Sequence, residues 1–336
     1  MTAAVPVQDP DKDQDRALAE AVLGVDGPAQ RRAMAKAITL LESTRADHRL
    51  RADALLGALL PATGKGFRLG LSGVPGVGKS TFIEALGLFL IEQGHRVAVL
   101  AVDPSSSISG GSILGDKTRM ERLSVHERAY IRPSPASGTL GGVAAKTRES
   151  LLVCEAAGYD TVIVETVGVG QSEVAVAQMT DMFVLLQLPN AGDDLQAIKR
   201  GVMELADLVV INKADLDEDA ATRARAQITS AMRYLGPHAH ARAEVRQLSA
   251  LKGAGLPGFW RAVSEFRDAQ HKAGGLERRR QEQNRAWMWE RIEAGLHQRF
   301  ARHGAVQQAL PVLTEEVRQG RLAASVAARR LLDLMD

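Results

Sequence analysis

The sequence predicts an α/β fold with a mostly parallel sheet flanked by helices, and with helical extensions at both ends of the chain. Two observations support this fold class. From Phe67 onward, short apolar runs alternate with stretches of helical periodicity, a pattern that predicts parallel strands joined by right-handed crossovers. A glycine-rich loop, Gly-Val-Pro-Gly-Val-Gly-Lys-Ser-Thr over residues 73–81, follows the first of these runs.

Seven candidate strands account for the apolar runs. Several are apolar without interruption, as is typical of strands that helices cover on both faces. The candidate strands are Arg68–Ser72, Val97–Val102, Ala129–Arg132, Thr161–Glu165, Met182–Leu188, Leu208–Asn212 and Val245–Ser249.

Four regions follow from this pattern. Residues 1–14, rich in Asp and Pro, are predicted to be disordered. Residues 15–64 form an N-terminal helical extension, residues 65–268 the α/β domain, and residues 269–336 a C-terminal helical arm. The arm carries apolar residues at helical spacing, and these either pack on the chain's own core or form a dimer contact. They are Trp287, Met288, Trp289, Ile292 and Leu296, then Val312, Val317, Leu322, Val326 and Leu331.

The composition excludes several classes of protein. The 336 residues carry a formal net charge of +2 and are 45% hydrophobic, 24% charged and only 4% aromatic. A charge so near zero gives no general attraction to nucleic acid or to an anionic membrane. The single cysteine, Cys154, lies in an apolar run, which favours a buried thiol over a reactive one. With no long apolar run and no signal-like start, we expect a cytoplasmic protein.

The glycine-rich loop matches the P-loop motif Gly-x-x-x-x-Gly-Lys-Ser and lies between a predicted strand and a predicted helix. Glycines let backbone N–H groups turn toward a phosphate, and the N-terminus of the following helix favours the same anion. We expect Lys79 to contact the β- and γ-phosphates and Ser80 to contribute to Mg²⁺ binding. The predicted phosphate-binding residues are Gly73, Val74, Pro75, Gly76, Val77, Gly78, Lys79, Ser80 and Thr81.

Two further segments favour guanine over adenine. Asn212-Lys213-Ala214-Asp215 ends the sixth candidate strand, where a base would lie in a parallel sheet. The Asp215 carboxylate can accept from N1–H and from the exocyclic amine of guanine, whereas adenine offers no such pair of donors. We expect the Lys213 stem to lie along the purine and Asn212 to join neighbouring loops. Ser249-Ala250-Leu251 follows the seventh strand, and the Ala250 N–H is the candidate donor to guanine O6.

Acidic residues at strand ends are candidates for the metal and the γ-phosphate. Glu165 ends the fourth candidate strand, and the Gly168 N–H nearby can contact the γ-phosphate. Asp103 ends the second strand and contributes either to the Mg²⁺ shell or to a helix cap. We assign catalytic roles to Lys79, Glu165, Gly168 and Asp103, and metal binding to Ser80, Asp103 and Glu165. Gln171 does not have the spacing of a Ras-type glutamine, so we expect slow intrinsic hydrolysis.

Two charged loops complete the set of candidates. Residues 108–122 are glycine-rich and then charged, and Asp116, Lys117 and Arg119 either contact the phosphates or are solvated surface charges. Residues 192–200 are either a second mobile element or a capped helix start.

Five blocks in this order resemble the MeaB/ArgK/MMAA group of G proteins, over roughly residue 33 to the C-terminus. The blocks are GVPGVGKST, VDPSSSISGGSILGDKTRM, ETVGVGQSE, NAGDDLQAIKRG and NKAD. The resemblance implies a homodimeric GTPase that gates adenosylcobalamin loading and that protects or reactivates an adenosylcobalamin-dependent acyl-CoA mutase. A cobalamin adenosyltransferase is implied as a second partner.

The resemblance also assigns roles by motif match. It implies a switch I at residues 108–122, a switch II at residues 165–173 and a further switch at residues 192–201. Asp193, Asp194 and Lys199 match the group's pattern in the last of these, and Lys199 is the candidate for coupling to the mutase. The short acidic N-terminus departs from the mitochondrial version of the group and favours a bacterial one.

Three alternatives stay open on the sequence. A nickel metallochaperone GTPase would need a metal-loading cluster, yet the His residues are scattered and there is one Cys. A kinase linked to amino-acid transport would need an aspartate that activates a protein acceptor. The third alternative is a scaffold that binds GTP without turnover. We expect the acyl group to be recognised by the mutase itself and not by residues of this chain.

Overall fold

The structure is a computed structural model that describes residues 10–102, 120–133, 140–166, 172–189, 200–232 and 244–335. Its contacts divide the chain into two compact units, Met1–Arg279 and Arg280–Asp336. The first unit contains the sheet and the N-terminal helices, and the second is helical. The domain bounds drawn from the sequence stay predictions.

The described part of the first unit is built on a seven-stranded sheet in the order β3-β2-β4-β1-β5-β6-β7, with every ladder parallel. This arrangement confirms the predicted α/β fold class with a parallel sheet flanked by helices. The strands are β1 (Phe67–Gly73), β2 (Val97–Val102), β3 (Ala129–Arg132), β4 (Thr161–Thr166), β5 (Met182–Gln187), β6 (Leu208–Ile211) and β7 (Glu244–Gln247).

The last strand differs most from its predicted bounds. It ends at Gln247, whereas the apolar pattern predicted a strand as far as Ser249. Ser249 instead forms an isolated antiparallel bridge with Ala254, its N–H donating to the Ala254 carbonyl at 2.9 Å. The chain therefore turns back on itself at this point, because a local loop contact replaces the ladder to β6.

Helices cover both faces of the sheet. The helices of this layer are α4 (Lys79–Glu92), α5 (Glu121–Ser124), α6 (Leu140–Ala156), α7 (Ser172–Ala177), α8 (Arg200–Leu205), α9 (Glu218–Met232) and α10 (Leu256–Lys272). On one face, Leu69 and Leu71 of β1 share a buried core with Phe82 of α4 and Phe259 of α10. On the other face, β4 residues Val162 and Val164 pack in a second core with α6 and α7. Successive strand residues thus point to opposite cores.

The N-terminal extension contributes three helices and a 3-10 turn to the second core. They are α1 (Pro10–Val22), α2 (Pro28–Glu42), α3 (Ala46–Leu59) and the turn Leu60–Ala62. Helix α1 begins inside the segment 1–14 that the sequence predicted to be disordered. Proline is well tolerated in a first helical turn and acidic residues such as Asp13 favour that end of a helix, so the start at Pro10 has a local reason.

Arg96 joins this extension to the sheet layer. Its guanidinium lies 4.4 Å above the Tyr159 ring and donates to Asp26 Oδ1 at 2.8 Å and to Gln30 Oε1 at 3.0 Å. The Gln30 amide in turn donates to the carbonyls of Val22 and Ala157. A fixed network of this kind holds the extension against the loop that precedes β4.

Further helices follow α10: α11 (Gly275–Arg302), α12 (Gly304–Arg318), α13 (Ala324–Leu332) and the turn Asp333–Met335. Within the second unit, α12 packs against α13, and Val306, Ala327 and Leu331 are buried. Many apolar residues of the unit are exposed, among them Trp289 and Leu296 of α11. None of the described helices is long and apolar enough to cross a membrane.

Candidate functional site

The glycine-rich loop connects the carboxyl end of β1 to the first turn of α4. Gly78 adopts φ +93°, and a Cβ at this position would lie 2.8 Å from Asn212 Nδ2. Gly73 has φ +157°, and a Cβ there would lie 2.7 Å from the Leu186 carbonyl oxygen. A side chain at Gly73 would collide with backbone, and one at Gly78 would be strained by the positive φ and would displace the Asn212 amide, so the loop needs its first and last glycines.

The half-buried Lys79 opens α4 and folds back over the loop. Its Nζ donates to the Gly73 carbonyl at 2.7 Å. A triphosphate in the loop would offer this ammonium charged oxygen acceptors, which make stronger hydrogen bonds than a neutral carbonyl does. Together with the positive N-terminus of α4, the geometry suits an anion at this end of the site.

Asn212 lies one residue beyond β6 and connects two loops that are distant in sequence. Its side chain is buried; Nδ2 donates to the Val77 carbonyl at 2.9 Å, and Oδ1 accepts from the Ala250 N–H at 3.0 Å. The side chain therefore ties the phosphate loop to the segment 249–251. This is the joining role that the sequence predicted for Asn212.

The Ala250 contact bears on the predicted donor to guanine O6. Because this N–H already donates to Asn212, a base entering the site would have to share it or use a neighbouring amide. The Lys252 N–H is engaged with Ser249 Oγ at 3.3 Å. The assignment of the O6 donor to Ala250 stays a prediction.

The Asp215 carboxylate is held by two neighbours from the segment after β7. A hydrogen bond from Ser249 and the nearby Lys252 ammonium keep the pKa of Asp215 below its ordinary value of 3.8. Lys252 Nζ lies 3.3 Å from Asp215 Oδ2. Asp215 is therefore ionised at neutral pH, in the form that accepts hydrogen bonds from N–H donors.

Lys213 is the one described non-glycine residue with a positive φ, at 59°. This conformation directs its side chain back toward the phosphate loop, where Nζ donates to the Gly76 carbonyl at 2.9 Å. The Lys213 stem consequently spans the distance from the end of β6 to the phosphate loop. A flat purine could lie along such a stem.

Glu165 lies on the same face of the sheet as α4. It is aligned with Leu71 of β1 and Ala101 of β2, and Leu71 belongs to the core that contains Phe82 of α4. Ser80 is the second residue of α4. A buried carboxylate and a hydroxyl on one side of a strand end are hard oxygen donors, the type that Mg²⁺ prefers. The residues present fit a Mg²⁺ site.

The described residues contain no cluster of three or more His, Cys, Asp or Glu side chains arranged to hold a metal by themselves. Several predicted site residues lie outside the described ranges. They are Asp103, Asp116, Lys117, Arg119, Gly168, Gln171, Asp193, Asp194 and Lys199.

Sequence reasoning missed two contacts at this edge of the sheet. Ser72 is the last residue but one of β1 and Thr166 is the last residue of β4, and their hydroxyl oxygens are 2.9 Å apart. Lys252 pairs with Asp215 as described above. Hydroxyl residues at the ends of two adjacent apolar runs were the signal for the first contact, whereas no sequence pattern indicated the second.

The chain is similar to a family model, to proteins of known sequence and to a solved structure. A family model described as Methylmalonyl Co-A mutase-associated GTPase MeaB matches residues 34–305. A probable GTPase of Mycobacterium bovis is 52% identical over 96% of this chain and 96% of its own length. The methylmalonic aciduria type A homolog, mitochondrial, of Mus musculus is 48% identical over 90% of this chain and 76% of its own. A solved structure, of a LAO/AO transport system kinase, has a TM-score of 0.74 and 35% identity, covering 98% of this chain and 99% of that one.

These matches confirm the resemblance found in the sequence and the P-loop fold class. They exclude the reading as a scaffold without turnover, because the family is one of GTPases. The chain belongs to the methylmalonyl-CoA mutase-associated GTPase family, MeaB, and is a GTP-binding P-loop GTPase.

Proposed function

We propose that this GTPase is a chaperone of an adenosylcobalamin-dependent acyl-CoA mutase, gating adenosylcobalamin loading and protecting or reactivating the mutase. The family description, which names an association with methylmalonyl-CoA mutase, supports the choice of partner. A cobalamin adenosyltransferase is the proposed second partner, and the cytoplasm is the proposed location.

One observation carries the nucleotide part of the proposal. The Asn212 side chain bonds the phosphate loop at Val77 and the segment after β7 at Ala250. A change at the phosphate end of the site is thereby linked mechanically to the base end. Guanine would be held by Asp215, with the Lys213 stem along its face and a backbone N–H of the segment 249–251 at O6.

Ser80, Asp103 and Glu165 would hold Mg²⁺ beside the β- and γ-phosphates. A bound Mg²⁺ neutralises charge that develops on the phosphate oxygens during hydrolysis. In this scheme Lys79 exchanges its contact with the Gly73 carbonyl for the phosphate oxygens, and the Gly168 N–H contacts the γ-phosphate. No residue of this chain is assigned to orienting the attacking water, which favours slow hydrolysis that a partner accelerates.

Three loops would change conformation with the bound nucleotide, GTP or GDP, and so communicate its identity to the mutase. By motif match, residues 108–122 and 165–173 respond to the γ-phosphate, and residues 192–201 report to the partner. Asp193, Asp194 and Lys199 are the proposed contacts in the last loop, and Asp116, Lys117, Arg119 and Gln171 those in the first two. The loss of the γ-phosphate on hydrolysis would change the order of such loops.

The proposed assembly is a homodimer formed through the C-terminal arm. Met288, Trp289, Ile292 and Leu296 lie within about two turns of α11 and are 40–57% exposed. In the second unit these side chains form an apolar stripe that a partner copy could cover.

The decisive experiment measures phosphate release by the full-length protein with and without purified mutases. Methylmalonyl-CoA, isobutyryl-CoA and 2-hydroxyisobutyryl-CoA mutases are the candidates, each tested with and without bound cobalamin. We expect at least one to accelerate GTP hydrolysis, and we expect transfer of adenosylcobalamin to that mutase, followed by absorbance, to require GTP. A Lys79→Ala variant serves as the inactive control.

Two outcomes would contradict the proposal. If none of the three mutases changes the hydrolysis rate or loads cobalamin in response to GTP, the chaperone function is wrong. If label from [γ-³²P]GTP is transferred to a protein, the kinase alternative is favoured instead. Stimulation of hydrolysis by a nickel enzyme precursor would favour the metallochaperone.

A further inference from the structure

The pair of hydroxyls at the ends of β1 and β4 has no role in the scheme above. Ser72 Oγ and Thr166 Oγ1 are 2.9 Å apart, and the two residues are 1% and 0% exposed. A buried hydroxyl without a hydrogen-bond partner costs about 1–3 kcal/mol. One of these hydroxyls donates to the other, in a position that a valine or an alanine would fill without any polar contact.

The position of the pair connects the two strands that carry the phosphate site. Ser72 directly precedes Gly73, the first residue of the phosphate loop. Thr166 directly follows Glu165 and precedes the segment that contains Gly168. Because β1 and β4 are parallel neighbours, with Leu71 aligned to Glu165, the hydroxyl bond lies one residue beyond that aligned pair.

Glu165 and Thr166, at the end of β4, lie on opposite faces of the sheet. Glu165 lies on the α4 face, as described above, whereas Thr166 lies on the opposite face with Val162 and Val164. On that face α7 packs closely on β1, since a Cβ on Gly70 would lie 2.9 Å from Val176 Cγ1. The hydroxyl pair therefore anchors the end of β4 from the face opposite to α4, on the same face as α7, which begins within the proposed switch II.

We propose that Ser72 and Thr166 are positioning residues of the GTPase reaction, holding the end of β4 in register with the phosphate loop. Both hydroxyls lie on the face of the strands opposite to α4, so neither is assigned a contact with the nucleotide. The bond sets the distance between Gly73 and the end of β4, and with it the placement of Glu165. This inference rests on the proposed role of Glu165, but it does not require the proposed mutase partner.

The test is a double-mutant cycle of Thr166→Val, Ser72→Ala and the combined variant, measured by single-turnover hydrolysis of bound GTP without any mutase. Each single variant is expected to slow hydrolysis about three- to tenfold, the worth of one hydrogen bond. The combined variant should be no slower than the slower single variant, because the second change removes no further contact. Thr166→Ser keeps the hydroxyl and is expected to retain most of the rate.

Binding and stability measurements separate positioning from general damage. The GDP dissociation constant is expected to stay within about twofold, while the preference for a non-hydrolysable GTP analogue over GDP falls with the hydrolysis rate. Thr147→Val is the matched control, because Thr147 is also buried and its hydroxyl bonds only to the Val143 carbonyl among the contacts described for it. It should lower the melting temperature at most, without changing the preference for the triphosphate.

Additive losses in the double variant, or equal losses in Thr166→Ser and Thr166→Val, would overturn the inference. Unchanged hydrolysis in both single variants would also do so. If Thr166→Val does not fold, the two single variants Ser72→Ala and Thr166→Ser are compared instead, by hydrolysis rate and by preference for the triphosphate. A wild-type protein that hydrolyses GTP but ignores every mutase would contradict the proposed function and leave this inference intact.

Discussion

The side-chain amide of Asn212 donates a hydrogen bond to the carbonyl oxygen of Val77 at 2.9 Å, across 135 residues of sequence. The same side chain accepts the N–H of Ala250 at 3.0 Å. Both backbone groups belong to the segments that we assign to the phosphates and to the base. Asn212 is therefore the structural link between the two halves of the nucleotide site.

Replacing Asn212 with Ala should weaken GTP and GDP binding together, by about ten- to a hundredfold. The change leaves two buried backbone groups without their partner, and the loops they fix would separate. Titration with fluorescent GTP and GDP analogues measures the effect. Asn284→Ala, at an exposed position of α11, is the control and should bind both nucleotides as the wild type does. A loss confined to GTP would show that Asn212 acts on the γ-phosphate instead.

Asp215→Asn should shift the preference of the enzyme from guanine toward xanthine nucleotides. In the proposed base site the carboxylate would accept two hydrogen bonds from guanine, whereas the amide of Asn offers one acceptor oxygen and an NH₂ donor that matches the additional carbonyl of xanthine. Competition of GTP and XTP for the site measures the preference, with the exposed Asp219→Asn as control. An unchanged preference for GTP over XTP in Asp215→Asn would show that the base lies elsewhere.

The lowered pKa of Asp215 predicts how GTP binding depends on pH. Since the pKa of Asp215 in the folded protein lies below the ordinary value of 3.8, its carboxylate is ionised in the folded protein near neutral pH. The affinity for GTP should therefore not change with the ionisation of Asp215 above pH 3.8. It should weaken only as the pH falls through the lowered pKa of Asp215. In Lys252→Ala, which removes one cause of the shift, the loss should begin at higher pH. Binding curves across acidic pH check this prediction.

Glu155→Gln should destabilise the first unit by about 3–5 kcal/mol. Arg68 donates to both oxygens of this fully buried carboxylate at 2.8 and 2.9 Å, and the Gly64 N–H donates to it at 3.0 Å. The substitution leaves the Arg68 guanidinium buried without a counter-charge. Urea denaturation followed by circular dichroism measures the change. Glu315→Gln breaks a solvent-exposed pair with Arg318 and should barely move the midpoint.

Cys154 should resist alkylation in the native protein. The thiol is 0% exposed, and burial raises its pKa well above the ordinary value, so the reactive thiolate does not form near neutral pH. Mass spectrometry after treatment with iodoacetamide is expected to find the thiol unmodified until urea unfolds the first unit. Rapid labelling in buffer would mean that α6 opens in the native state.

Leu296→Glu should convert the proposed homodimer to a monomer. A carboxylate in the exposed apolar stripe of α11 would be costly to bury against a second copy. Sedimentation velocity measures the mass, and Glu293→Gln on the same helix is the control that should leave the dimer unchanged. A wild-type protein that sediments as a monomer at micromolar concentration would contradict the proposed assembly.

The structural features that are set by residues close together in the sequence were predictable. Continuous apolar runs gave β2 and β3 at their observed bounds, Val97–Val102 and Ala129–Arg132. The order of glycines and lysine in residues 73–80 predicted a loop between strand and helix, and the structure has that loop. The ends of strands were harder to predict, as β7 shows. A strand ends where its neighbouring strand ends, or where a loop contact takes over its backbone hydrogen bonds.

The sequence by itself determined the fold class and the family, and it predicted the residue types of a guanine-nucleotide site, since these depend on local periodicity and on motifs with a fixed spacing. Only the tertiary structure decided that Asn212 bonds Val77 and Ala250, that Lys252 pairs with Asp215, and that Ser72 meets Thr166. The physical reason is that hydrogen bonds between side chains on different strands require a particular register and face of the sheet. That register results from the packing of the whole core and is not written in any short segment of the chain.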